Sequence, residues 1–260
     1  MKNIIVQVCI KGKKVGDIEH SSMHSYTEEL YNTCCKDAQE YAEKIGCEYH
    51  KMTESEYSED WMPTYQRFAL WKESYGDYDN IVYMDADYAP NKFTMPDIFS
   101  VMESSRHSFF AVPDNKYDPK SGEMKKTKRK IYDKCNLHDD YKYFNAGIVC
   151  MKREFIDETK DIVDDYVVRS KSWELFDQDA LNTLVHDKYF NYGTLSKEWN
   201  GVFSVDEPNF AIHYAGMTKQ KFTVEKHRKL QEKKLLSDQI WHKFDPRVDK
   251  VEAPSLEGFI

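Results

Sequence analysis

The 260-residue sequence predicts an α/β fold, a mostly parallel central sheet with helices on both faces. Three observations lead there. Apolar runs rich in β-branched residues, the mark of buried strands, alternate with charged stretches that carry helical spacing. No internal repeat and no linker rich in glycine and serine divides the chain. The 40% hydrophobic and 32% charged residues suit a folded globular chain better than a disordered or membrane-spanning one.

The elements follow in order. Residues 4–10 (IIVQVCI) read as the first buried strand. From about Tyr26 to Ile45, Leu30, Ala38, Tyr41, Ala42 and Ile45 recur at helical spacing, and Gly46 makes a helix stop. CEYHKM is a short second strand. Pro63 can open a helix through TYQRFALWKESY, since proline is tolerated in the first turn. DNIVYMD, SFFAVP and YFNAGIVCM are the third to fifth strands. Residues 153–168 read as one charged helix, residues 177–186 as another, and NFAIHYAG as a late strand. The expectation is a single domain over residues 1–260, with a basic loop insertion at about 115–140 and a helical extension over about 223–260.

Composition narrows the function classes. No stretch approaches the ~20 apolar residues of a transmembrane helix, and the N-terminus lacks the apolar core and cleavage site of a signal peptide. A cytoplasmic protein without a transmembrane segment is expected. The net charge of −8 argues against a nucleic-acid partner. Residues 116–134 are basic against that trend and read as a solvated loop, a site for an anionic or glycan acceptor being the alternative. The six cysteines show neither zinc spacing nor a dense disulfide framework, which favours free thiols. KGKKVG is too sparse for a pyrophosphorylase phosphate loop, and a G-x-G-x-x-G dinucleotide fingerprint is missing.

In sheets of this kind ligands sit beyond the carboxyl ends of strands, and four polar constellations fall there. In IVYMDADYAP, Asp85 and Asp87 flank Ala86; two carboxylates so spaced can aim at one point and suit Mg²⁺ or Mn²⁺, although a polar strand end would read the same way. In FAIHYAGMTKQKF, His213, Gly216 and Lys219 offer an imidazole ligand, a close backbone approach and a cation for phosphate; a satisfied buried histidine is the plainer reading of His213. In FDQDALNTLV, Asp177, Gln178 and Asp179 open a helix, where carboxylates also serve as caps. In YFNAGIVCM, the N-A-G turn suggests a bulge or a ligand contact through Asn145.

Together and in this order, from Tyr65 to about Phe222, these motifs resemble the family-8 retaining glycosyltransferases of the GT-A fold, the group that includes glycogenin and the lipooligosaccharide galactosyltransferases. The resemblance implies a metal-dependent enzyme that moves a hexose or pentose from a UDP-sugar to a glycan or protein acceptor with retention of configuration. It implies Mn²⁺ (or Mg²⁺) on Asp85, Asp87 and His213. It further implies donor contacts from Arg67, Ala86, Asn145, Ala146 and Gly216, and from Gln7, Val8 and Ile10 at the end of the first strand. Lys219 would meet the diphosphate. Asp177, Gln178 and Asp179 would lie beside the transferred sugar, with Gln178 steadying the developing cation. The chain departs from the family in having Gln220-Lys221-Phe222 where Pro-Trp usually follows the lysine, and in its basic insertion. The competing expectation is a non-catalytic sugar-nucleotide or glycan-binding protein with a relict site.

Overall fold

In the computed structural model, strand β1 (Asn3–Val8) lies between β2 (Glu48–Met52) and β3 (Asn80–Asp85), parallel to both. The structure describes residues 1–10, 28–58, 62–114, 126–173, 175–189, 191–201, 209–215 and 222–233. Beyond β3 come β6 (Phe144–Lys152), β5 (Phe109–Pro113) and β7 (Gly193–Thr194). The full order is β2-β1-β3-β6-β5-β7, with β6 alone antiparallel to its neighbours β3 and β5. The sheet is therefore mostly parallel, as predicted.

Strand periodicity places alternate side chains on opposite faces. Ile4, Val6, Val8, Ile81 and Tyr83 enter one core with Tyr65, Phe68, Phe155 and Leu181. Ile5, Val82, Met84 and Ile148 enter the other with Tyr41, Ala42, Ile98 and Met102. The second face is covered by α1 (Glu28–Ile45) and α2 (Ile98–Glu103), the first by α4 (Arg153–Thr159), α5 (Val163–Ser170) and α6 (Asp177–Tyr189). Helix α1 buries Leu30, Cys34, Ala38, Tyr41 and Ala42. It stops at Gly46 (φ 71°), where Cys47 N–H reaches Ala42 O at 3.1 Å and Gly46 N–H reaches Glu43 O at 3.3 Å. That paired closure needs a left-handed residue, and glycine adopts it without a Cβ penalty.

Several elements depart from expectation. Pro63–Trp71 winds as a 3-10 helix, not an α-helix. Seven of its nine residues are buried, so packing on nearly every side, rather than one amphipathic stripe, sets its path. The helix expected over residues 153–168 breaks in two. Thr159 Oγ1 donates back to Phe155 O at 2.7 Å and accepts from Trp71 Nε1 at 2.8 Å, a side-chain competition that ends α4. Part of the basic stretch read as a loop is helix α3 (Lys126–Cys135), because Ile131, Tyr132 and Cys135 supply it with a buried face. Residues 115–125 lie outside the described set. The late strand shrinks to β8 (Ala211–His213) and leaves the main sheet to pair antiparallel with β4 (Tyr88–Pro90). Helix α7 spans Val224–Lys233, and residues 234–260 lie outside the described set. All six cysteines are free thiols. Among the described residues no helix is long and apolar enough to cross a membrane.

Candidate active site

The parallel register sets Val8 beside Asp85, so the ends of β1 and β3 open onto the same edge of the sheet. There the chain turns from β3 into β4 and carries two carboxylates, Asp85 partly exposed and Asp87 buried. Gln7, wholly buried in β1, shapes that turn: its Nε2 donates to Asp85 O at 2.9 Å and Tyr88 O at 3.1 Å, while its Oε1 accepts from Tyr49 OH at 2.9 Å. Gln7 thus reaches the site through the backbone it holds. Val8, Ile10 and Ala86 line the cavity itself.

His213 arrives from β8, where the register places it opposite Tyr88. Its Nε2 lies 3.5 Å from Asp85 Oδ2 and 3.3 Å from Asp87 Oδ1. Ligand atoms of all three residues fall within 4.8 Å of one another. Two hard carboxylates and an imidazole fit Mg²⁺ or Mn²⁺. The spacings also approach the ~3 Å expected between adjacent oxygens around a cation with ~2.1 Å bonds. Electrostatics agree. Burial works against a charged imidazole, but Asp87 and then Asp85 outweigh it and raise the His213 pKa to about 9. The cluster calls for positive charge.

Arg67, on the 3-10 helix and 4% exposed, spends its donors locally. Nη2 meets Asp85 Oδ1 at 2.9 Å, Nε meets Asp177 Oδ2 at 2.9 Å, and Nη1 donates to Ala146 O at 2.8 Å. The guanidinium also stacks 4.3 Å from the Tyr83 ring, whose hydroxyl donates to Asp85 Oδ1 at 2.7 Å. Burial pushes the Asp85 carboxyl up, yet Arg67 and His213 outweigh that and hold it below its usual range. Asp177 goes the other way: burial dominates over Arg67, and its pKa rises to about 6. Two carboxylates on one arginine titrate apart because their surroundings differ.

The predicted D-Q-D separates in space. Phe176 has a left-handed backbone (φ 47°), a conformation costing roughly 1–3 kcal/mol for a non-glycine residue, and it turns the chain into α6. Asp177 and Gln178 then line the cavity. Gln178 Oε1 accepts from Ala146 N–H at 3.0 Å, and its Nε2 donates to Tyr143 OH at 3.1 Å. Asp179 points into the protein, accepting from Tyr143 OH at 2.7 Å and Leu175 N–H at 2.8 Å. It supports the helix entry.

The N-A-G turn is a bulge: β5 and β6 slip register between Ala111 and Val112. Its glycine has a steric task, since a Cβ on Gly147 would stand 2.2 Å from His213 Cε1. Asn145 Oδ1 accepts from Gly147 N–H at 2.9 Å and from Asn200 Nδ2 at 2.8 Å, and Asn200 Oδ1 lies 2.9 Å from His213 Nδ1. The sequence reading missed Asn200, Tyr83 and Gln178's partner Tyr143. Nothing in their local spacing sets them apart, and they become visible only through contacts across the fold. Gly216 and Lys219 lie outside the described residues.

The cavity has a volume of about 240 Å³ and brings together Arg67, Asp85, Asp87, Asp177 and Gln178, with Tyr31 and Ile10 also in its lining. A second hollow of about 430 Å³ lies beyond Tyr143 and is lined by Asp114, Asp139, Asp140, Lys142, Lys197 and Glu198.

Comparison with known proteins gives the family and the fold. The model of glycosyl transferase family 8 matches residues 4–231. Among solved structures, the chain is similar to the galactosyltransferase LgtC in complex with donor and acceptor sugar analogues, at 14% identity over 93% of this chain and 100% of that chain, with a TM-score of 0.53. It is similar to the apo form of the bifunctional glycosyltransferase WbbM, at 13% identity over 91% of this chain and 50% of that one, with a TM-score of 0.60. A third is a glycosyltransferase involved in glycosylation of the major capsid of PBCV-1, at 11% identity over 85% and 100% of the two chains and a TM-score of 0.52. At such identities the likeness speaks for the fold. No curated protein sequence matches the chain.

Proposed function

Since the chain belongs to glycosyl transferase family 8 and is a glycosyltransferase of GT-A fold, we propose that it uses a UDP-sugar and a divalent cation, Mn²⁺ or Mg²⁺, and transfers a hexose or pentose with retention of configuration. The observation that carries this reading is the convergence of His213 on Asp85 and Asp87, two carboxylates that line a cavity together with Arg67, Asp177 and Gln178.

In this reading Asp85, Asp87 and His213 hold the cation, which supplies Lewis-acid stabilisation to the departing diphosphate. Val8, Ile10 and Tyr31 flank the nucleoside. Arg67 fixes Asp85 and Asp177 in one arrangement before substrate arrives, so little reorganisation is needed during the reaction. Asp177 and Gln178 face the sugar. Gln178 is held at both ends of its amide, which suits a fixed dipole beside a developing oxocarbenium ion and not a nucleophile. Asn145 and Ala146 act from the bulge beneath the sugar. Lys219 and Gly216 are proposed as the diphosphate contact and its close backbone approach. Removing one such contact typically costs ~2.7–4 kcal/mol of transition-state stabilisation.

The acceptor, a glycan or protein, is proposed to enter by the hollow beyond Tyr143. Of the four carboxylates there Asp139 is paired with Arg129, and the other three against two lysines favour a neutral or cationic acceptor over an anionic one. The test is to incubate the protein with Mn²⁺ and a panel of UDP- and GDP-sugars and measure free nucleoside diphosphate. Release from one UDP-sugar, abolished by Asp85→Ala/Asp87→Ala, is expected. UDP binding without release from any donor would leave the relict-site reading standing. Neither release nor calorimetric UDP binding would remove the donor site.

A further inference from the structure

A neutral imidazole carries its proton on either nitrogen, so His213 can offer an Nε2 lone pair to a cation shared with Asp85 and Asp87 only if Nδ1 bears the proton. A chain of hydrogen bonds decides which nitrogen that is. It begins at Gly147 N–H, a group that only donates, 2.9 Å from Asn145 Oδ1. The Asn145 atom there must be oxygen. The same oxygen lies 2.8 Å from the Asn200 amide, which must therefore present Nδ2 to it. Asn200 is left with its oxygen facing His213 Nδ1 at 2.9 Å, and an amide oxygen only accepts. Nδ1 thus carries the proton, and Nε2 faces the two carboxylates at 3.5 and 3.3 Å.

We infer that Asn200 is the positioning residue of the cation site: it sets the tautomer and ring angle of His213, and Asn145 acts through it. The inference rests on the reading of Asp85, Asp87 and His213 as cation ligands. The fold is built to deliver this contact. Asn200 closes the short 3-10 helix Lys197–Trp199, and Gly201 beside it bridges to Ile212 of β8, one residue from His213. A Cβ on Gly201 would stand 2.8 Å from Ala211 O, so the two segments touch at the backbone. Trp199 O accepts from the Tyr88 hydroxyl, which ties the same segment to β4. Asn200 is 7% and His213 3% exposed, leaving little room for water to replace the amide. The Cε1–Nδ1 edge of the ring also packs on Gly147. Partners that hold the second nitrogen of a metal-ligating histidine are usually carboxylates, carbonyls or water, and changing them typically weakens metal binding about 10- to 100-fold. An asparagine whose polarity is itself dictated by a backbone N–H meets the same need.

The experiment compares Asn200→Leu and Asn200→Asp with the parent by Mn²⁺ titration in the presence of UDP, read by electron paramagnetic resonance. ¹⁵N NMR of the His213 imidazole accompanies it in metal-free protein at alkaline pH, where the ring is neutral. Asn200→Leu, with the same branched skeleton of heavy atoms but unable to accept, is expected to bind Mn²⁺ about 10- to 100-fold more weakly. It should also lose the Nδ1–H tautomer seen in the parent. Asn200→Asp keeps an acceptor toward Nδ1 but sets a second acceptor against Asn145 Oδ1, so it is expected to keep that tautomer and to lose clearly less affinity than Asn200→Leu. An Nε2–H tautomer in the parent would overturn the inference without reference to any metal. So would parent-like Mn²⁺ affinity in Asn200→Leu, or equal losses in both variants with thermal melts like the parent's. A parent that shows the Nδ1–H tautomer but binds no Mn²⁺ would instead overturn the cation-site reading, and the role of Asn200 with it.

Discussion

Replacing Gly147 by alanine adds a single methyl group, 2.2 Å from His213 Cε1, 2.4 Å from Nδ1 and 2.9 Å from Asn145 Oδ1. Ordinary carbon contacts begin near ~3.5 Å, so the imidazole must retreat by roughly 1 Å or more. The ring cannot do so freely, being held by Asn200 at 2.9 Å and buried among its neighbours. Retreat would carry Nε2 away from Asp85 and Asp87, which it now approaches at 3.5 and 3.3 Å. A displacement of about 1 Å in a catalytic arrangement commonly costs ~10²-fold in rate. Overpacking of this kind costs roughly 1–3 kcal/mol of stability. For a domain of this size each kcal/mol lowers Tm by about 2–4 °C. The expected outcome for Gly147→Ala is a folded protein with a modestly lower Tm, Mn²⁺ affinity reduced at least about tenfold, and nucleoside diphosphate release reduced about a hundredfold. Calorimetry with Mn²⁺ and UDP, donor turnover and a thermal melt give the three readings. Parent-like turnover and Mn²⁺ affinity would show that the ring tolerates the methyl and that the close packing of Gly147 on His213 has no bearing on function.

Three further outcomes are expected. In metal-free protein the His213 pKa of about 9 stands above its ordinary 6.5, so the stabilisation from its proton is full below pH 6.5 and lost as pH rises through 9; melts should fall over that window, and Mn²⁺, competing with the same proton, should bind more tightly as pH rises toward it. Flat melts from pH 6 to pH 10 would contradict this. Arg67→Met leaves Asp85 and Asp177 facing each other without their shared cation, and breaking a buried pair in this way costs about 3–5 kcal/mol; urea unfolding should report it, and a loss below about 1 kcal/mol would show the pairs to be dispensable. Gly46→Ala meets no atom within 4 Å, so its cost is the left-handed backbone alone, about 1–2 kcal/mol, with no change in donor turnover.

The sequence by itself determined the layered architecture and the edge on which the chemistry sits. Buried strands must alternate their side chains between two cores, and the run from Asn80 to Asp85 does so until it ends in a carboxylate, so Asp85 and Asp87 were legible as a strand-end pair. Gly46 was legible because a left-handed helix stop has few other residues to choose from. Local spacing could not tell which of Asp177, Gln178 and Asp179 face the cavity, since helix neighbours point ~100° apart and the entry angle depends on the strained Phe176. Nor could it foresee that Thr159 would be drawn to Trp71 and split a helix, or that β8 would leave the main sheet for β4. Tertiary structure alone decided the support of His213. Asn145, Asn200 and His213 are separated by 55 and 13 positions along the chain, and hydrogen bonds between them carry no local signal in the sequence. Periodicity records which side of an element is buried, whereas the polarity of a buried hydrogen-bond chain depends on donors and acceptors that only folding brings within 3 Å.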